Sequence, residues 1–107
     1  MHFTSYLENG CLTIALTGEI DHHSAKEYIH VISGKIEAYT PRECTLDFSQ
    51  VSFMDSSGIA VIINSLRSMS KMQGSLYVSD LRPQPRKVFS ASGIDKLVQV
   101  KEYNHEI

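Results

Sequence analysis

Phe53-Met54-Asp55-Ser56-Ser57-Gly58, followed without a break by Ile59-Ala60-Val61-Ile62-Ile63, is the point where one periodicity gives way to another. Upstream, Cys44, Leu46 and Phe48 alternate with polar neighbours, as a strand does. Downstream, Ile59, Ile62, Ile63, Leu66 and Met69 recur at helical spacing to about Met72, and Gly74 supplies a stop. Strand, turn and helix therefore meet at Asp55-Ser56-Ser57-Gly58. The first N–H groups of a helix lack partners within it, and Asp55 or Ser56 can accept from them in a cap worth about 1 kcal/mol. A cap needs one such side chain, and this turn offers three in succession. Gly58 also lets the backbone pass close to whatever lies against it. The turn is thus either a plain cap or a site for reversible negative charge. A phosphoryl group there adds about −1.5 to −2 charge, which a helix N-terminus and its free N–H groups tolerate and Asp55 opposes.

Working outward, the same alternation of strand and helix continues in both directions. Leu12, Ile14 and Leu16 form a half-buried strand that Gly18 ends, and Asn9-Gly10 joins it as a hairpin to a weaker strand at Phe3 to Leu7. Ser24, with Glu27 three residues on, opens a helix whose stripe is Ala25, Tyr28, Ile29, Ile32, Ile36 and Tyr39. Gly34 weakens that helix without breaking it, and Thr40-Pro41 ends it. Beyond Gly74, Leu76 to Val78 is a short strand. Pro83 or Pro85 starts a third helix that Gly93 closes, and Leu97 to Val100 is an edge strand. Alternating elements of these lengths specify an α/β layer fold, and the initial hairpin makes its sheet mixed. The narrow helical stripes place the helices mainly on one face and leave the other thinly covered.

A chain of 107 residues, 42% hydrophobic, supports one domain with a real core. Ten basic residues are interspersed among twelve acidic ones, with no Lys/Arg block, so direct nucleic-acid binding is not expected. The longest apolar run, Ile59 to Ile63, is far too short to span a bilayer. No basic-then-apolar leader opens the chain, which points to a cytoplasmic location. Cys11 and Cys44 read as two half-buried free thiols.

A second polar constellation is Leu16-Thr17-Gly18-Glu19-Ile20-Asp21-His22-His23-Ser24. Asp21 or Ser24 can cap the first helix. Neighbouring His22 and His23 do not point both rings at one ion, and no third ligand stands at metal spacing. The serines of the Asp55 turn lack the G-x-S-x-G context of a nucleophile, so catalysis is not expected. If both strand-to-helix loops open on the same edge of the sheet, Asp21 and Ser56 share one polar patch. Ser90 and Ser92 read as solvated, and Tyr28 and Tyr39 as core or rim.

These residues, with Val88-Phe89-Ser90-Ala91-Ser92-Gly93-Ile94, make the chain resemble the bacterial anti-anti-sigma factors, the small single-domain members of the STAS group. The resemblance covers nearly the whole chain, its D-S-S-G turn is highly specific, and its Leu16–Ala25 segment is similar to the sporulation branch in particular. It implies one STAS domain over residues 1–107, with a mixed sheet and helices mainly on one face. It implies that Ser56 accepts phosphate from a partner that is both serine kinase and anti-sigma factor and that holds ATP or ADP. The unphosphorylated form binds that partner and frees the sigma factor; phosphorylation ends binding, and a serine phosphatase restores it. Asp21 matches the family's kinase-contacting aspartate, and His22, Asp55, Ser57 and Gly58 complete the expected partner-binding set. On this reading the chain is a cofactor-free monomer and a substrate, not an enzyme. The rival is an accessory binding domain of a membrane-transport or stress-signalling complex, in which Ser56 only caps its helix.

Overall fold

The computed structural model describes residues 3–101. Strand β1 (Thr4–Glu8) turns through Asn9-Gly10, both at positive φ, into β2 (Cys11–Ile20). Helix α1 (His22–Tyr39), strand β3 (Glu43–Met54), helix α2 (Ser56–Lys71), strand β4 (Ser75–Ser79) and helix α3 (Pro83–Ser92) follow. A short 3-10 turn (Ile94–Lys96) leads into β5 (Gln99–Lys101). The sheet order is β1-β2-β3-β4-β5, antiparallel for the first pair and parallel for the rest. Strands β2 to β5 lie in chain order, each joined to the next through a helix. Crossovers of one hand that always step the same way must lie on one face of the sheet. Helix α2 accordingly packs between α1 and α3.

The core sits between that layer and the sheet. Leu12, Ile14 and Leu16 of β2, Cys44, Leu46 and Phe48 of β3, and Leu76 and Val78 of β4 are buried there. Tyr28, Ile32 and Ile36 of α1, Ile59, Ile62 and Met69 of α2, and Phe89 of α3 meet them. The opposite face carries an in-register row, Tyr6, Thr13, Thr45, Tyr77 and Gln99, one residue from each strand. There Lys101 lies over the Tyr77 ring, 4.1 Å from its centroid, and reaches Glu43 at 3.4 Å.

Several details depart from the sequence-based expectations. Gly18 does not end β2; the strand passes through it at φ +82 to Ile20. Strand β3 runs up to the Asp55 turn as expected, ending at Met54, but it does not keep its alternation, because it carries two extra residues relative to β2. Ala15 to Thr17 spans two steps against three from Asp47 to Gln50, and Gly18 to Glu19 one step against two from Val51 to Phe53. The inward positions therefore change spacing from two to three at Phe48, Val51 and Met54, all fully buried. Phe53 lies outward, 41% exposed, between the buried Val51 and Met54. Cys44 is fully buried, and burial pushes its thiol up to about 12. Only Cys11 is half-buried, and both thiols are free. Tyr39 is a rim residue, while Tyr28 is core, its hydroxyl donating to the Thr17 carbonyl. Ser90 and Ser92 are exposed, but the Ser92 hydroxyl donates to the Phe89 carbonyl and accepts from the Ile94 amide, joining α3 to the turn after it.

Candidate functional site

Parallel strands β2 and β3 finish side by side. Ile20 stands opposite Met54, and the Asp55 N–H donates to the Ile20 carbonyl at 3.2 Å. Each strand is followed at once by an aspartate that caps the next helix, Asp21 for α1 and Asp55 for α2. The register thus brings the two loops to one edge of the sheet. Two helix N-termini open there, with Asp21, His22, Asp55 and Ser56 around them.

The two caps are built differently. At α1, the Asp21 carboxylate accepts from the His23 amide at 2.9 Å and the Ser24 amide at 3.1 Å. The Asp21 N–H in return donates to the Ser24 hydroxyl at 3.1 Å, closing a reciprocal capping box. The box runs from Asp21 to Ser24, in place of the expected pairing of Ser24 with Glu27. The Ser24 amide is the main cause that holds the Asp21 carboxyl below its ordinary 3.8, helped by the His23 amide, the His23 charge and the Ser24 hydroxyl against partial desolvation. His22 and His23 are exposed on the first turn, their rings 4.1 Å apart.

At α2, the Asp55 carboxylate accepts only from the Ser57 amide, at 2.7 Å, and the Gly58 N–H donates to the Asp55 carbonyl at 2.9 Å. Ser56, the first helical residue, is exposed, and Ser57 is half-buried. The expectation of freely available N–H groups is sharpened here: Asp55 already holds the Ser57 amide, so a charge added at Ser56 meets a carboxylate in place. Gly58 is buried against Met54. A Cβ at Gly58 would lie 2.9 Å from the Met54 Cβ and 2.6 Å from its Sδ, so the close approach is to the strand beneath and not to solvent.

Two features of the site escaped sequence reading. Phe53 is an exposed ring two residues before Asp55. Gln84 of α3 clamps the Met54 backbone: its Oε1 accepts from the Met54 N–H at 2.9 Å and its Nε2 donates to the Met54 carbonyl at 3.0 Å. The only outward sign was the flanking pair of prolines in Pro83-Gln84-Pro85. Among the described residues no cluster of three His, Cys, Asp or Glu could hold a metal ion, and no helix is long and apolar enough to cross a membrane.

Comparison with known proteins bears on this edge. Residues 3–107 match the family model of the STAS domain. An anti-sigma F factor antagonist of Lysinibacillus sphaericus is 32% identical over 95 residues, covering 88% of this chain and 81% of its own. The anti-sigma factor antagonist SpoIIAA in its unphosphorylated form superposes with a TM-score of 0.82 at 27% identity, over 97% of this chain and 90% of that one. The phosphorylated form of the Bacillus cell fate determinant SpoIIAA gives 0.73 at 27% identity, over 97% of this chain and 93% of that one.

Proposed function

Because the chain belongs to the STAS-domain family of anti-sigma factor antagonists, close to the sporulation protein SpoIIAA, we propose that it is a partner switch read at Ser56. In the unphosphorylated form, the edge made by Asp21, His22, Asp55 and Ser57 docks on an anti-sigma factor that is also a serine kinase, and the sigma factor is released. Gly58 contributes by seating the start of α2 on Met54, and Phe53 adds an exposed apolar contact beside the polar edge. Transfer joins the Ser56 Oγ to the γ-phosphorus of the partner's ATP, breaks the bond to ADP and passes the hydroxyl proton to a base on the kinase. This chain supplies only the acceptor. A serine phosphatase reverses the change, and the cycle is cytoplasmic.

One observation carries the reading. Ser56 is an exposed hydroxyl at the first position of α2, set by the β2–β3 register on the same edge as Asp21. A phosphate there adds about −1.5 to −2 charge next to Asp55, which is already engaged with the Ser57 amide. In solvent that cost is small; inside an interface the same charge loses its hydration, so the product leaves. The fold is untouched, because Ser56 carries none of the core. Incubation with the cognate kinase and ATP, followed by mass spectrometry, tests the proposal: one phosphate on Ser56 is expected, and phosphate only on Ser57 or another residue overturns it.

A further inference from the structure

Strand β3 outruns its neighbour. It extends from Glu43 to Met54, but β4 pairs with it only from Glu43 to Asp47. The far part of β3 has β2 on one side and, among the described residues, no strand on the other, and it ends immediately before the Asp55 cap. The end is closed by a side chain. Gln84 presents its amide oxygen to the Met54 N–H and its amide nitrogen to the Met54 carbonyl, the same pair of bonds that an adjacent strand would supply. The orientation of that amide is unambiguous, since an N–H can only be met by oxygen and a carbonyl only by nitrogen.

The setting of Gln84 favours a fixed clamp. It is the second residue of α3, between Pro83 and a buried Pro85, whose rings fix their φ angles near −65°. The backbone that carries Gln84 therefore has little freedom to lose. On its other sides Met54 is held by its pairing with Ile20 and by the seat of Gly58 against its side chain. The residue before the cap is gripped from three directions, and only the grip from α3 is made by a side chain's polar atoms.

We propose that Gln84 is a positioning residue for the phosphoacceptor turn: it holds Met54 in line so that Asp55 caps α2 and Ser56 faces the partner beside Asp21. This rests on the proposed function, and it adds α3 to a site otherwise built from the ends of β2 and β3. Gln84 makes its side-chain hydrogen bonds to the Met54 backbone and not to the Ser56 hydroxyl. Its contribution is the geometry in which the hydroxyl is offered, and misplacement of a reacting group by a fraction of an ångström slows the chemical step.

The test uses Gln84→Met, which keeps the bulk of the side chain and removes both hydrogen bonds, with Gln84→Glu, which keeps the acceptor and loses the donor. Hydrogen exchange is followed at the Met54 amide, with the Leu46 amide in the core as the control for folding. Phosphoryl transfer to Ser56 from the cognate kinase is measured on the same samples. For Gln84→Met, exchange at Met54 is expected to rise at least tenfold with Leu46 unchanged. The kcat for transfer is expected to fall at least fivefold, with a smaller change in KM. Gln84→Glu should fall between that variant and the parent. Wild-type transfer rates in Gln84→Met overturn the proposal, whether or not Met54 exchange has changed, because Gln84 would then only pack. If the parent chain takes up no phosphate at Ser56, the functional reading fails on its own, and exchange at Met54 still decides whether the clamp exists.

Discussion

The α1 and α2 N-termini stand side by side, start after paired residues of neighbouring strands, and are both capped by aspartate. They differ in what happens to the serine. At α1 the Ser24 hydroxyl is taken up in a reciprocal box with Asp21, and the cap satisfies two amides. At α2 the carboxylate satisfies one amide, the third helical position is Gly58, and the hydroxyl of the first, Ser56, stands exposed. A closed cap fixes a loop, whereas a minimal cap leaves a reactive group free. On the proposed function, the pair is a rigid contact next to a modifiable one.

The largest expected effect isolates the free hydroxyl. Ser56→Ala should abolish phosphate uptake from the cognate kinase, while urea denaturation should detect a stability change within about 0.5 kcal/mol, as at other exposed positions. A stability loss well beyond that would show that Ser56 is as deeply built into its cap as Ser24. Gly58→Ala comes next. Alanine is about 1 kcal/mol better than glycine in a helix, but its methyl group would press on the Met54 Cβ at 2.9 Å. A net loss of about 1–3 kcal/mol in denaturant unfolding is expected from the overpacking. A gain would mean that Met54 yields and the α2 seat is loose.

How much of this was legible beforehand depended on whether a signal was local. The turn at Asp55, the hairpin at Asn9-Gly10 and the Gly93 stop are all chemistry of adjacent residues, and each was readable. The face covered by helices followed from narrow stripes. The facing of the last residues of β3 was hidden because its inward positions lie three apart at Phe48, Val51 and Met54, a spacing that two extra residues make compatible with a strand. The Gln84 clamp joins positions thirty residues apart, and no periodicity reports such a bond.

Smaller effects sharpen the contrast between the caps. Asp55→Ala should cost about 1 kcal/mol, the usual value of one cap. Asp21→Ala should lower the unfolding midpoint further, since it releases two amides where Asp55→Ala releases one. Equal losses would erase the distinction between closed and minimal caps. The gentlest probe is acid. The folded state holds the Asp21 carboxyl below its ordinary 3.8, so its contribution is complete above that value and is lost as pH falls through the lower, folded one. Stability measured by denaturant titration should therefore decline below about pH 4, and Asp21→Asn should flatten that part of the profile. An unchanged slope would assign the decline to other carboxylates.

The two extra residues in β3 also set the terms on which this chain can diverge. The first turns Val51 inward and the second restores the facing of Phe53 and Met54, so deleting one alone would reverse the facing of every residue between it and the Asp55 turn. Substitutions at the exposed Gln50, Ser52 and Phe53 change what the surface displays, whereas Val51 between them is fully buried and must stay apolar. A change in length would swap Met54 for its neighbours against Gly58 and point the Ser56 hydroxyl, the proposed acceptor, away from Asp21. In a lineage of such chains, this stretch is free in spelling at its outward positions and fixed in count.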